Sequence, residues 1–203
     1  MSAGPPGTRP AAFLDRDGVI NIDRGYVSHR EDFTFVPGVL EGARGLHRLG
    51  FALVVVTNQS GIGRGLYDET TFHHLTLWMK QQFADAGAPL DGVYYCPHHP
   101  TEAFGSYRRD CDCRKPAAGM LLTAARELQL DLGRSVMFGD RDSDLMAARA
   151  AGVPTRVLLW TDACQEPDTV PAGLATSSFK RLDEAVSDRD FIRSITPQVP
   201  VRQ

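Results

Sequence analysis

The run Phe51-Ala-Leu-Val-Val-Val56 carries no polar residue and lies between Gly50 and Thr57. A strand with one wet face alternates apolar and polar side chains, whereas an unbroken apolar run reads as a strand covered on both faces. Such a strand belongs in a parallel sheet with helices on either side. Other strand-like segments, none longer, are Ala11–Leu14, Val93–Tyr95, Ser135–Phe138 and Thr155–Trp160. Segments of helical spacing separate them. The alternation predicts an α/β domain built on a doubly wound, Rossmann-like, mostly parallel sheet.

The helices show their ends. Pro37 is expected to open one and Gly50 to close it, each where its backbone fits best. Asp68 is a side-chain cap for a second helix, in which Phe72, Leu75, Met79, Phe83 and Ala86 follow helical spacing before Gly87. Leu121, Leu122, Ala125 and Leu128 mark a third, and Asp142–Ala151 a fourth. Past Trp160 the signal weakens to one helix near Leu182–Val186. The expected organisation is a flexible N-terminal arm over 1–10, a single domain over 11–190 and a C-terminal tail over 191–203.

The formal net charge of -3 over 203 residues argues against a broad nucleic-acid or membrane surface. A small anionic ligand remains compatible, because a few local cations hold one phosphate. Lysine is scarce, with Lys80, Lys115 and Lys180 alone. No apolar segment is long enough to span a bilayer, and Met1–Pro10 is Gly/Pro-rich without the apolar stretch of a secretion signal. The expectation is a cytoplasmic monomer whose partner is a small molecule.

Ligands of doubly wound sheets bind at the carboxyl ends of the strands. Asp15, Thr57, Cys96 and Asp140 each lie at such an end. Asp15 and Asp17 are two apart and can both face one ligand. A carboxylate attacks phosphorus and gives an acyl phosphate, provided that a hard cation relieves its repulsion from the phosphate dianion. Asp140 supplies a second carboxylate to that magnesium ion, and Asp17 is placed to protonate the leaving oxygen and then to deprotonate water. Asp-x-Asp alone is usually a solvated turn; here an apolar strand leads into it. Thr57-Asn58-Gln59-Ser60-Gly61 reads equally as an anion cradle and as a polar turn before a helix. Lys115, between Arg114 and Pro116, suits a charge-neutralising role, although a single lysine is more often a solvated surface charge.

Cys96-Pro-His98 and Cys111-Asp-Cys113 flank a polar loop, His99–Asp110. Three thiolates and one imidazole make a closed, structural zinc site that would staple a segment with no core of its own. His99 competes with His98 for the ligand position. Cys164 has no partner in the sequence, and His29, His47, His73 and His74 stand outside any constellation.

Together these residues resemble the haloacid dehalogenase (HAD) superfamily, whose four motifs fall in order at Asp15-x-Asp17, Thr57, Lys115 and Gly139-Asp140 with Asp144 following. Five finer segments look like the D-glycero-D-manno-heptose-1,7-bisphosphate 7-phosphatases. They are Leu-Asp15-Arg-Asp17-Gly-Val-Ile-Asn21, Asp23-Arg-Gly-Tyr26-Val, Val-Val-Val-Thr57-Asn-Gln-Ser60-Gly-Ile, Tyr-Tyr-Cys96-Pro-His98-His-Pro and Cys111-Asp-Cys113-Arg114-Lys115-Pro. The resemblance runs from about Phe13 to Leu159. It implies Asp15 as nucleophile, Asp17 as acid/base, and phosphoryl contacts from Thr57 and Lys115. Magnesium would sit on Asp15, the backbone carbonyl of Asp17, and Asp140. Zinc would sit on Cys96, His98, Cys111 and Cys113. Arg114, Arg141, Asp23, Arg24, Gly25, Tyr26, Asn58, Gln59 and Ser60 would meet the substrate.

About forty residues separate Asp17 from Thr57, and a helix and strand absorb most of them. The next interval is filled as well, so no cap domain is expected and the site should be open. The implied activity removes the C7 phosphate of the heptose bisphosphate on the way to nucleotide-activated heptose and lipopolysaccharide. The nearest rival is a histidinol-phosphate phosphatase. A polynucleotide 3′-phosphatase lacks support for want of a basic stripe. A non-catalytic zinc-binding relative predicts loss of Asp15, Asp17, Lys115 or Asp140, and none is lost.

Overall fold

The computed structural model describes residues 8–160 and 171–196. Six strands form one sheet: β1 (Ala11–Leu14), β2 (Ala52–Asn58), β3 (Gly92–Cys96), β4 (Val136–Gly139), β5 (Thr155–Leu159) and β6 (Ser177–Phe179). Their order is β3-β2-β1-β4-β5-β6, and every pair is parallel. The chain winds outward from β1 to β3, then returns to lay β4 against the other side of β1. That reversal opens a crevice beyond the ends of β1 and β4, where such folds hold ligands.

Both faces of the central strands are dry, as the run at Phe51 requires. Leu53 and Val55 of β2 face one core with Ala12, Leu14 and Phe138; Ala52, Val54 and Val56 face the other with Phe13 and Met137. The first core is covered by α1 (Val39–Arg48), α3 (Glu69–Asp85), α6 (Leu182–Ser187) and α7 (Arg189–Ile195). The second is covered by α4 (Gly119–Leu128) and α5 (Asp142–Ala150). Each fully buried Leu, Val or Phe contributes about 1.5–3 kcal/mol. Among the described residues no separate cap domain is inserted between the strands. Among the described residues no helix is long and apolar enough to cross a membrane.

Four elements differ from the sequence reading. The first helix begins at Val39, because Gly38 turns in the left-handed region at φ 80° and separates Pro37 from it. A short helix, α2 (Ser60–Gly63), occupies the expected cradle loop. Beyond residue 170, β6 and α7 accompany the expected α6, and α7 runs across the boundary placed at 190 while burying Phe191 and Ile195. At the other end, Arg9 pairs with Asp91 and bridges Leu130. Cys164, residues 1–7 of the arm and residues 197–203 of the tail lie outside the described residues.

Candidate active site

β1 and β4 are neighbours in register, so Asp15 and Asp140 emerge side by side. Gly18, at φ 90°, makes this approach possible: a Cβ there would collide with the Asp140 carboxylate. One turn further, at the start of α5, Asp144 turns back and accepts from the Arg141 N–H at 3.1 Å. Carboxylate oxygens of Asp15, Asp140 and Asp144 all lie within 4.8 Å of one another. Lys115 answers two of them, with Nζ 2.8 Å from Asp15 Oδ1 and 2.6 Å from Asp144 Oδ1. It also donates to the Val56 carbonyl at 2.8 Å.

These charges are almost fully buried, and the arrangement is electrostatically short of a cation. Burial lifts the Asp15 carboxyl to about 7 despite Lys115, with Asp144 adding to the rise. Burial, then the negative charges of Asp15 and Asp144, lift Asp140 to about 8. Burial alone would lower Lys115, but Asp144 and Asp15 override it and raise its pKa. Asp140 Oδ1 is buried without a hydrogen-bond partner. A hard divalent ion fits this set: it supplies positive charge and a ligand position to an oxygen that has none.

The other expected residues converge on the same crevice, a cavity of about 450 Å³. Asp15, Asp17 and Lys115 form its floor with Thr57, which is 1% exposed. Asn58, Gln59, Ser60, Arg114 and Arg141 line its walls, and Asp23, Gly25 and Tyr26 its mouth. Arg24, by contrast, is exposed and does not line the cavity. Asn58 exchanges two hydrogen bonds with the backbone of Lys115, at 3.0 and 3.1 Å, strapping β2 to the segment that carries the lysine. Arg141 reaches across the mouth to Asp23 at 2.7 Å.

Two lining residues were outside the sequence reading of the site, Tyr67 and Ser143. Gly61 belongs to the expected cradle, Arg64 follows it on the same loop, and Asp144 closes the fourth motif, one helical turn after Asp140. Tyr67 donates to Gln59 Oε1 at 2.6 Å, and burial lifts its hydroxyl to about 12, so it stays a donor. Gln59 Nε2 in turn donates to Asp17 Oδ2 at 2.9 Å and Thr57 Oγ1 at 2.8 Å. The Gln59 side chain is therefore engaged inward.

The second cluster lies past β3. Sγ atoms of Cys96, Cys111 and Cys113 are 3.2–3.6 Å apart, and His98 Nδ1 is 3.2 Å from Cys113 Sγ. Zinc–sulfur bonds of about 2.3 Å would set tetrahedral edges near 3.8 Å, so a slight expansion admits the ion. Burial raises the Cys96 and Cys113 thiols and lowers His98. His99 stands outside the cluster that His98 joins, and its Nδ1 accepts from the N–H groups of Thr101 and Glu102 at 3.3 and 3.0 Å. Arg114 leaves the cluster by donating to the His98 carbonyl at 3.2 Å.

Known proteins resemble this chain in sequence and fold. Residues 112–184 match the Hydrolase_like family model, described as HAD-hyrolase-like. The D-glycero-beta-D-manno-heptose-1,7-bisphosphate 7-phosphatase of Escherichia coli (strain K12) is 53% identical over 178 residues, covering 87% of this chain and 93% of that protein. Its Vibrio cholerae serotype O1 counterpart is 54% identical over 153 residues, 75% of this chain and 82% of that one. The crystal structure of D,D-heptose 1,7-bisphosphate phosphatase from B. bronchiseptica, complexed with magnesium and phosphate, superposes with a TM-score of 0.77 at 30% identity. That match covers 91% of this chain and 99% of that one. Motifs, sheet order and relatives agree: the chain belongs to the D-glycero-D-manno-heptose-1,7-bisphosphate 7-phosphatase family of HAD-like hydrolases.

Proposed function

We propose that the chain hydrolyses the C7 phosphate of D-glycero-D-manno-heptose 1,7-bisphosphate, giving heptose 1-phosphate and inorganic phosphate, as a cytoplasmic, monomeric enzyme of nucleotide-activated heptose biosynthesis. The observation that carries this reading is the buried Asp15–Lys115–Asp144 ion pairing beside Asp140, at the switch point of a chain that shares half its residues with such phosphatases. The net charge of -3 speaks against a nucleic-acid substrate.

Asp15 is the nucleophile. Its Oδ1 is held by the Arg16 N–H at 2.7 Å and by Lys115 Nζ. The carboxylate attacks phosphorus, the bond from phosphorus to the C7 oxygen breaks, and Asp17 gives that oxygen a proton. Asp17 then takes a proton from water, whose oxygen attacks phosphorus and frees Asp15 and phosphate. Lys115 and Thr57 hold the transferring group. Asp15, Asp140 and the Asp17 carbonyl would hold magnesium, which would supply charge neutralisation between nucleophile and phosphate. Cys96, His98, Cys111 and Cys113 would hold a structural zinc, which would fix the His98 carbonyl that Arg114 donates to. Asp23, Gly25, Tyr26, Arg114 and Arg141 select the sugar.

The relatives carry the heptose name, which argues against histidinol phosphate. Catalytic efficiency on the heptose bisphosphate, in both anomers, compared with histidinol phosphate tests the reading. A preference of about 100-fold or more for the heptose is expected; faster turnover of histidinol phosphate would overturn it.

A further inference from the structure

Arg16 stands between the two aspartates and is 2% exposed. A buried guanidinium is costly unless its donors are satisfied. Nε and Nη2 donate to Asp17 Oδ1 at 3.2 and 2.9 Å, and Nη2 lies 3.0 Å from Oδ2. The same Nη2 donates to the Val27 carbonyl at 2.7 Å. The guanidinium carbon rests 5.9 Å from the centre of the Phe72 ring. Asn21 adds a donor to Asp17 Oδ1 at 3.0 Å and is itself anchored on the Ile22 carbonyl at 3.0 Å.

The two oxygens of Asp17 are thus unequal. Oδ1 receives three N–H donors from rigid neighbours. Oδ2 receives two, one of them from Gln59, whose amide nitrogen also meets the Thr57 hydroxyl in the phosphoryl cradle. We propose that Arg16 is a positioning residue for the reaction: it pins Asp17 through Oδ1, presents Oδ2 to the leaving oxygen, and through Val27 ties that orientation to the Asp23–Tyr26 loop facing the sugar. The inference rests on the reading of Asp17 as the acid/base. The planar fork is essential to the role, because lysine keeps the charge but offers no bidentate grip. A carboxylate displaced by about 1 Å loses on the order of 100-fold in rate.

The test separates leaving groups. kcat/KM reports steps up to leaving-group departure, and p-nitrophenolate departs without a proton whereas a sugar alkoxide does not. Arg16→Lys should cut kcat/KM on the heptose bisphosphate by about 100-fold, and on p-nitrophenyl phosphate by far less. Arg16→Lys combined with Asp17→Asn should be no worse on the sugar phosphate than Asp17→Asn alone. Equal losses on both substrates, with circular dichroism unchanged or not, would mark a merely structural residue and overturn the proposal. So would an unaffected sugar reaction. If the wild-type chain ignores the heptose bisphosphate, the functional reading fails, and the same comparison with any alkyl phosphate it does hydrolyse still judges Arg16.

Discussion

Asp15, Asp140, Asp144 and Lys115 meet beyond β1 and β4, while Cys96, His98, Cys111 and Cys113 meet past β3 on the same edge of the sheet. In the first group Asp15 and Asp140 follow strand ends, Asp144 sits on a helix start, and Lys115 is strapped to β2 through Asn58. Packed strands force these side chains together against their mutual repulsion, as the raised Asp15 and Asp140 show. In the second group only Cys96 belongs to a strand. The other three sit on irregular chain, where Phe104 is 70% exposed and little apolar surface is buried. A fold can assemble a site that resents assembly if enough core backs it; a loop without core needs its ligand to assemble at all. A cation in the first site would serve chemistry, and one in the second would serve folding.

The sharpest challenge to this contrast is Asp15→Asn. Turnover should fall at least about 10,000-fold, because no other group replaces the nucleophile. The melting temperature should hold or rise, since one buried, repelled carboxylate is gone. A variant within tenfold of wild type in phosphate release breaks the assignment.

Cys111→Ser should show the reverse order of effects: a loss of several kcal/mol in stability, proteolytic nicking between residues 99 and 110, and a fall in activity that follows the fold. Elemental analysis finding no zinc, together with a melting temperature indifferent to chelator, would contradict it.

The smallest effect is on pH dependence. Asp15 and Asp140 are raised in the folded state to about 7 and about 8, so between their ordinary value and these pH values the folded protein holds protons that the unfolded chain does not. Stability without magnesium should therefore decline as pH rises from 5 to 8. Magnesium should restore more of it at pH 8 than at pH 5. Parallel melting curves with and without the ion would refute a cation site on these carboxylates.

The sheet was legible because its central strands are buried on both faces and leave an unbroken apolar signature. β6 was not: Ser177, Ser178 and Phe179 form a half-exposed edge, with no run to read. α7 hides for a similar reason, since only Phe191 and Ile195 of its seven residues are buried. In the site, Asp15, Thr57, Lys115 and Asp140 could be named from strand ends and motif order. Arg16, Gln59 and Tyr67 could not be assigned their inward contacts. A long polar side chain turns to solvent or to a buried carboxylate according to tertiary neighbours, and spacing along the chain does not record which.

The absence of an inserted cap has a kinetic meaning. Enzymes that shut a domain over their substrate pass through closing and reopening steps that can set the pace of turnover. Here no such domain is inserted among the described residues, so binding and release need none of them to swing as a domain. Added viscogen should slow this enzyme only through diffusion of its substrate and products. Its tempo should then be set by bond breaking and by encounter rather than by a domain closing.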